Sequence, residues 1–207
     1  ELASRAREAG LRAPALVVIG EVVKLRESLA WLEHRPLFGK RVLVTRPVEQ
    51  AGSLAVALRE WGAEPVIVPL VCIAPPENWA PMDAALGQFA AYDALVLASA
   101  NAARAFADRA RACGVRLDAG AQTVCCVGPQ TAEAARAQGL PVHLVPDQRD
   151  AAGLVAALAA RVALADARIL VPRAAEGREE LVDALRAGGA EVSAVAAYRT
   201  LPAAVDA

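Results

Sequence analysis

Five times in this chain an apolar strand pattern runs into a polar turn and then an Ala-rich helix pattern, and four of the five repeats close on glycine. The units begin at Arg41-Val-Leu-Val-Thr45, Asp93-Ala-Leu-Val-Leu97, Thr123-Val-Cys-Cys-Val127, Val142-His-Leu-Val145 and Arg168-Ile-Leu-Val171. The closing glycines are Gly62, Gly114, Gly139 and Gly188-Gly189. Strands that alternate with helices specify βαβ units and a parallel sheet, so the expected class is α/β. Open parallel sheets bind ligands beyond the carboxyl ends of their strands. The residues just after each strand are therefore the candidates for function.

A chain of 207 residues suits one large domain or two small ones. Hydrophobic residues make up 56% and aromatics only 4%, so the core has to be built from Ala, Val and Leu. A formal net charge of -1 gives no reason to expect nucleic acid or a membrane surface as partner. No apolar run approaches the roughly 18 residues of a membrane span. The opening residues show no charged region followed by an apolar stretch and a cleavage site, which argues against export. The 4 Cys include no CxxC pair, and His34 and His143 stand alone, so a metal site is not expected and the thiols read as reduced and structural. Cys125 and Cys126 are adjacent in a strand pattern and should face opposite sides of it. A cytoplasmic location is expected. Met82 is the only methionine, and with no initiator at the start a longer polypeptide is expected.

Two apolar segments are longer than the other strands. One runs from Pro65 to Ala74 before Pro75-Pro76, and the other from Glu191 to Leu201 before Pro202. They predict paired hinge strands through which the chain enters and leaves an inner α/β domain at 75–190. Residues 37–74 and 191–207 then form a partial outer α/β domain. Its few elements cannot cover both faces of a parallel sheet, so further βα units are expected past Ala207. Residues 1–36 differ again: Pro14-Ala-Leu-Val-Val-Ile19 predicts a strand, Gly20 a turn, Glu21 to Glu33 a helix, and Arg35 to Gly39 a linker.

Phosphate-binding signatures are missing. No GxGxxG follows a strand and no GxxxxGK[ST] occurs, so a dinucleotide site is not expected. A receiver-type signalling domain needs an Asp at a strand's carboxyl end, whereas Asp93 begins its strand. The strand-end loops carry small, hydroxyl and cationic residues instead. They hold Thr45, Arg46 and Pro47; Ser99, Ala100 and Asn101; Gly128, Pro129, Gln130 and Thr131; Asp147, Gln148, Arg149 and Asp150; and Arg173, Glu176, Gly177 and Arg178. The last long strand ends in Tyr198-Arg199-Thr200. Helix N-termini offer unpaired N–H groups that favour anions, and with the nearby Arg residues they suit a ligand bearing many carboxylates. Simpler accounts stand beside this one. Ser99, Asn101 and Thr131 are ordinary N-cap types, Arg149 and Arg178 ordinary surface charges, and Tyr198 an ordinary boundary aromatic.

Gly39-Lys-Arg-Val-Leu-Val-Thr-Arg-Pro47 resembles the opening of uroporphyrinogen-III synthases. So do Asp93-Ala-Leu-Val-Leu-Ala-Ser-Ala-Asn-Ala102, Val127-Gly-Pro-Gln-Thr-Ala132, Arg168-Ile-Leu-Val-Pro-Arg173 and Val195-Ala-Ala-Tyr-Arg-Thr200, in the same order. The resemblance covers about Leu37 to Pro202. Separately, Pro14-Ala-Leu-Val-Val-Ile-Gly-Glu-Val-Val23 with Trp31 is similar to the last strand and helix of uroporphyrinogen-III C-methyltransferases.

The first resemblance implies two α/β domains joined by a two-stranded linker. It also implies a lyase of tetrapyrrole biosynthesis that converts hydroxymethylbilane to uroporphyrinogen III with inversion of the last ring and loss of water. No metal or organic cofactor is implied. By the same resemblance Tyr198 is the catalytic residue that assists departure of the hydroxyl. By the same resemblance Ser99 and Thr131, with Gln130 and Asn101 beside them, are substrate-binding residues that line the cleft, while Arg46, Arg173 and the N–H groups of the strand-end turns, with Gly128 in one of them, suit the carboxylates of such a substrate. The second resemblance implies a methyltransferase domain fused upstream, in a sirohaem or cobalamin context. Two other readings of the loops stay open: a non-catalytic module that binds a tetrapyrrole or other anion, and a periplasmic-type ligand-binding domain.

Overall fold

The computed structural model describes residues 1–117, 122–148 and 150–203. It divides into two units, Glu1–Pro69 and Leu70–Ala207. The α/β class expected from the alternating pattern is what the chain adopts, with sheets that are mostly parallel.

The first unit begins with a short helix, α1 (Leu2–Glu8), which buries nothing. Residues 14–19 do not form the expected strand. With no partner strand beside them among the described residues, their backbone groups stay in water and Leu16 and Ile19 lie 89% and 83% exposed. The helix expected from Glu21 to Glu33 is broken into a 3-10 turn (Glu21–Leu25), one turn of α-helix, α2 (Arg26–Leu29), and a second 3-10 turn (Ala30–Leu32). None of these pieces buries a residue. A short helix with no apolar face docked has little to hold it together. Beyond them, β1 (Arg41–Val44), α3 (Val48–Glu60) and β2 (Glu64–Ile67) make one βαβ unit, with the strands parallel and Arg41 opposite Glu64. Val44, Ala51, Ala55 and Ala63 form its small core. Gly62 ends α3 at φ 89°, and a Cβ there would lie 2.8 Å from Arg35 Cβ, so both conformation and space demand glycine.

The second unit holds β3 (Val71–Ala74), α4 (Ala80–Gly87), β4 (Ala94–Leu97), α5 (Ala100–Ala112), β5 (Thr123–Cys126) and α6 (Pro129–Ala137). After these come α7 (Ala151–Ala159), β6 (Arg168–Ala174), α8 (Glu180–Ala187) and β7 (Glu191–Pro202). The five strands lie in the order β3-β7-β6-β4-β5, all parallel except the antiparallel β3–β7 pair. The long segment at 65–74 is thus not one strand. It is β2 and β3, which belong to different sheets, with Pro69 in the break. The other long segment is one strand, and β7 pairs with β6 along its first part and with β3 along its last.

The central strands are buried on both faces, which is why they read as uninterrupted apolar runs. Leu95, Leu97, Val124, Cys126 and Leu170 face one layer with α5 and α6. Ala94, Val96, Cys125, Ile169 and Val171 face the other with α7 and α8. Cys125 and Cys126 do point to opposite sides, and burial pushes their thiols up to about 12 and about 11, so both stay protonated and inert near neutral pH. Ala102, Ala103, Ala107, Ala110, Ala132 and Ala135 are fully or almost fully buried. Such small side chains let helix and sheet backbones approach closely, and few aromatics are then needed. Phe106 fills the middle of the first layer against Phe89, ring centroids 5.6 Å apart. At the rim, Arg109 on α5 grips Asp83 on α4 through two bonds of 2.6 and 2.5 Å while stacking over Trp79. That guanidinium holds the Asp83 carboxyl below the usual carboxylate range.

The fourth expected strand, at 142–145, shrinks to an isolated bridge between Leu144 and Cys125. His143 Nδ1 accepts the Val124 N–H at 3.0 Å, so an imidazole takes a donor that a backbone ladder would use. Pro141 and Pro146 flank the segment and bring no N–H of their own.

Candidate functional site

The strand order creates one special place in the second unit. From β4 the chain crosses by α5 to β5 on one side, with α5 on the first face. From β6 it crosses by α8 to β7 on the opposite side, with α8 on the second face. The connections therefore diverge between β4 and β6, and a crevice opens there at the strands' carboxyl ends. A cavity of about 380 Å³ occupies this position. Its wall includes Ala98 and Ser99 after β4, Val127 after β5, Asp150 and Ala151 at the start of α7, Arg173 and Ala174 ending β6, Gly177 and Arg178 in the next loop, and Tyr198 on β7.

Ser99 is the N-cap of α5. Its extended backbone lets Oγ accept the Ala102 N–H at 3.1 Å, satisfying one of the helix's free donors. The same Oγ lies 3.2 Å from the Tyr198 hydroxyl. Tyr198 reaches it through an irregularity in the sheet. Along β7, Arg173 pairs with Ala196 but Ala174 pairs with Tyr198, leaving Ala197 as the extra residue of a bulge. Val195 and Ala197 already face the α5–α6 layer, so strict alternation would turn the next side chain away. Instead the Tyr198 ring packs against that same layer.

Arg173 is only 12% exposed along its side chain. Nη1 donates to Glu179 Oε1 at 2.7 Å, and Nη2 donates to the Gly177 carbonyl. The guanidinium thus pins the β6–α8 loop beside the cavity that Arg173 lines. Asp150 caps α7, accepting the Gly153 N–H at 2.7 Å and the Gln148 amide at 2.7 Å. Those bonds, the Gly153 one foremost, hold its carboxyl below the usual range. Among the described residues no cluster of His, Cys, Asp and Glu is gathered as metal ligands would be.

Of the residues singled out in the sequence, the cavity brings together Ser99, Arg173 and Tyr198. Gly128 is the N-cap of α6, at the same end of the sheet and next to the cavity residue Val127. Gln130 is exposed on the first turn of that helix, and Thr131 is buried one residue further on; neither lines the cavity. Asn101 is half-buried in α5, where its Oδ1 accepts from Arg104 at 3.4 Å. Arg46 is exposed after β1 and belongs to the first unit. Arg149 lies outside the described residues. Asp150, Gly177 and Arg178 also line the cavity wall, although they were not among the implied site residues and Arg178 had read as an ordinary surface charge. Their place directly after strand patterns was the available signal.

A family model for uroporphyrinogen-III synthase HemD matches residues 52–207. A porphyrin biosynthesis protein HemD from Ruminiclostridium josui is 32% identical over 200 residues, 96% of this chain and 40% of that protein. A uroporphyrinogen-III synthase from Synechococcus elongatus is 36% identical over 170 residues, 82% of this chain and 64% of its own length. This chain thus spans less than two thirds of either relative. Among solved structures, a mutant uroporphyrinogen III synthase from the extremely thermophilic bacterium Thermus thermophilus shares the fold with a TM-score of 0.58 at 20% identity, covering 80% of this chain and 64% of that one. With Ser99, Arg173 and Tyr198 gathered at one switch point and the family match running from within α3 through β7, the chain belongs to the uroporphyrinogen-III synthase family.

Proposed function

We propose that this chain carries the activity of its family, conversion of hydroxymethylbilane to uroporphyrinogen III, a cyclising loss of water. The observation that carries the proposal is the cavity at the β4–β6 switch point, where the Tyr198 and Ser99 hydroxyls meet beside Arg173. The linear tetrapyrrole loses its hydroxyl as the pyrrole nitrogen pushes electrons into the breaking C–O bond. Tyr198 donates the proton that lets the hydroxyl leave as water. The azafulvene that results is attacked by the last ring through its substituted carbon. The spiro intermediate so formed fragments and recloses with that ring inverted, and the proton lost as the ring regains aromaticity balances the one donated. Electrophile and nucleophile belong to one molecule, so the protein's main work is folding the substrate and placing charge. No metal or organic cofactor enters any of these steps.

Arg173 and the N–H groups at the starts of α5 and α6, the latter capped by Gly128, would hold substrate carboxylates. Asn101, Gln130 and Thr131 are proposed as further substrate contacts on the family resemblance, and Arg46 on its charge at a strand end. Residues 37–74 and 191–207 are proposed as a partial outer domain, and 75–190 as the inner one. Residues 1–36 are proposed as the tail of an upstream methyltransferase domain in a cytoplasmic protein. The bare apolar side chains of Leu16, Val17, Val18 and Ile19 support that assignment, because such a run normally lies inside a parallel sheet.

Substitution of the phenol tests the catalytic assignment. Tyr198→Phe should lower turnover of freshly generated hydroxymethylbilane well over tenfold, within the range for a general acid, without unfolding the protein. Turnover equal to the parent would remove Tyr198 from the mechanism.

A further inference from the structure

Ser99 does two things with one oxygen. Its Oγ accepts the Ala102 N–H at 3.1 Å and lies 3.2 Å from Tyr198 Oη. A serine hydroxyl has one proton and two lone pairs. The cap uses a lone pair and leaves the proton available. Capping also fixes where Oγ sits, because the Ala102 amide belongs to the rigid first turn of α5. An amide at a helix N-terminus further polarises the hydroxyl it binds, which strengthens that hydroxyl as a donor. Across the pair, Tyr198 comes from a different element and is turned to this spot by the β7 bulge. Among the described residues, the side-chain hydrogen bond of Tyr198 is the one to Ser99.

Resting on Tyr198 as the group that assists loss of the substrate's hydroxyl, we propose that Ser99 is a positioning residue that donates its proton to Tyr198 Oη. The phenol proton is then free to point into the cavity. The opposite polarity would spend that proton on Ser99 and leave the substrate without a donor. Proton traffic balances. As the substrate C–O bond breaks, its electron pair stays on oxygen, the phenol proton completes water, and the Ser99 O–H supports the phenolate. The proton released when the reacting pyrrole regains aromaticity restores the phenol. A separation of 3.2 Å is long for two hydroxyls. It leaves room for the bond to shorten as charge grows on the phenol oxygen.

The test compares Ser99→Ala, Ser99→Thr, Tyr198→Phe and the Ser99→Ala/Tyr198→Phe double variant in the full-length protein. Turnover of hydroxymethylbilane and thermal melting are measured for each. Ser99→Ala should lower kcat about tenfold or more, the scale of a misplaced catalytic group, with KM within about twofold of the parent. Ser99→Thr keeps both the cap and the donor and should recover most of the loss. In the Tyr198→Phe background, Ser99→Ala should cost no further turnover. A pure capping role predicts a lower melting temperature, normal kcat per folded molecule and the same effect in both backgrounds, and that result overturns the proposal. If Tyr198→Phe is slow but Ser99→Ala is not, only the role of Ser99 falls. If Tyr198→Phe turns over normally, the assignment of Tyr198 and this inference fall together. Melting of the parent, Ser99→Ala, Tyr198→Phe and the double variant tests the pairing without substrate: non-additive losses support the bond, and additive losses refute it.

Discussion

Adding a single methyl group at Gly177 should disturb the cavity through Arg173. The Cβ of an alanine would lie 2.9 Å from Arg173 Nε, 3.2 Å from Nη2 and 3.1 Å from the Ala174 carbonyl oxygen. Comfortable carbon contacts begin near ~3.5 Å, so the guanidinium has to retreat by about 0.5 Å. It has little freedom to do so. Nη1 is tied to Glu179 at 2.7 Å and Nη2 to the Gly177 carbonyl itself, while the Ala174 oxygen is part of β6. A retreat of that size stretches the Glu179 bond toward the limit of a useful hydrogen bond. Overpacking of this kind costs about 1–3 kcal/mol, and the stiffer unfolded chain returns about 0.4–1 kcal/mol. The net loss should be about 1 kcal/mol, or roughly 2–4 °C in melting temperature for a chain of this size. A higher KM for the carboxylate-rich substrate should accompany it, because Arg173 no longer faces the cavity in the same pose. Gly52→Ala in α3 is the control. A Cβ there meets nothing within 4 Å, so it should stabilise by up to about 1 kcal/mol. Differential scanning fluorimetry and steady-state kinetics on both variants check this. Gly177→Ala with a raised melting temperature and unchanged KM would refute the packing argument.

Phe106 is fully buried and stacked on Phe89; Phe106→Ala should cost about 3–5 kcal/mol in urea unfolding, through lost burial and an unfilled cavity. The Asp83 and Asp150 carboxyls are both held below their usual values by hydrogen bonds to Arg109 and to the Gly153 N–H. Their stabilisation is therefore complete above the unfolded value of about 4 and is lost as pH falls through the lower folded values. Melting temperature should drop with acid in that window, and Asp150→Asn, whose amide oxygen still accepts from Gly153, should flatten part of the drop when melting is followed against pH.

The repeated strand–turn–helix pattern was legible because two-sided burial leaves unmistakable apolar runs, as in Leu95-Val96-Leu97 and Ile169-Leu170-Val171. Glycines at helix ends were legible for the same local reason: Gly62, Gly114, Gly139 and Gly189 all have positive φ. What failed depended on partners. Residues 14–19 have strand composition but pair with no strand among the described residues. The strand at 142–145 lost its ladder to the ring of His143, a contact that no propensity encodes. The cavity was half legible. Position after a strand pointed to Ser99, Arg173 and Tyr198, but the bulge that turns Tyr198 toward Ser99 is a register event between β6 and β7, invisible in either strand alone. Arg178 read as a surface charge because residue type says nothing of which wall a side chain joins. Thr131 had the right type and position, yet the packing of α6 buries it away from the cavity wall.

The most direct test supplies freshly generated hydroxymethylbilane to this chain and to a version extended past Ala207, then separates the oxidised products by chromatography. Type III isomer above the spontaneous type I background is the predicted result, with loss of that excess on Tyr198→Phe. Only type I isomer from a folded, extended protein would contradict the account and leave a tetrapyrrole-binding module without catalysis in its place.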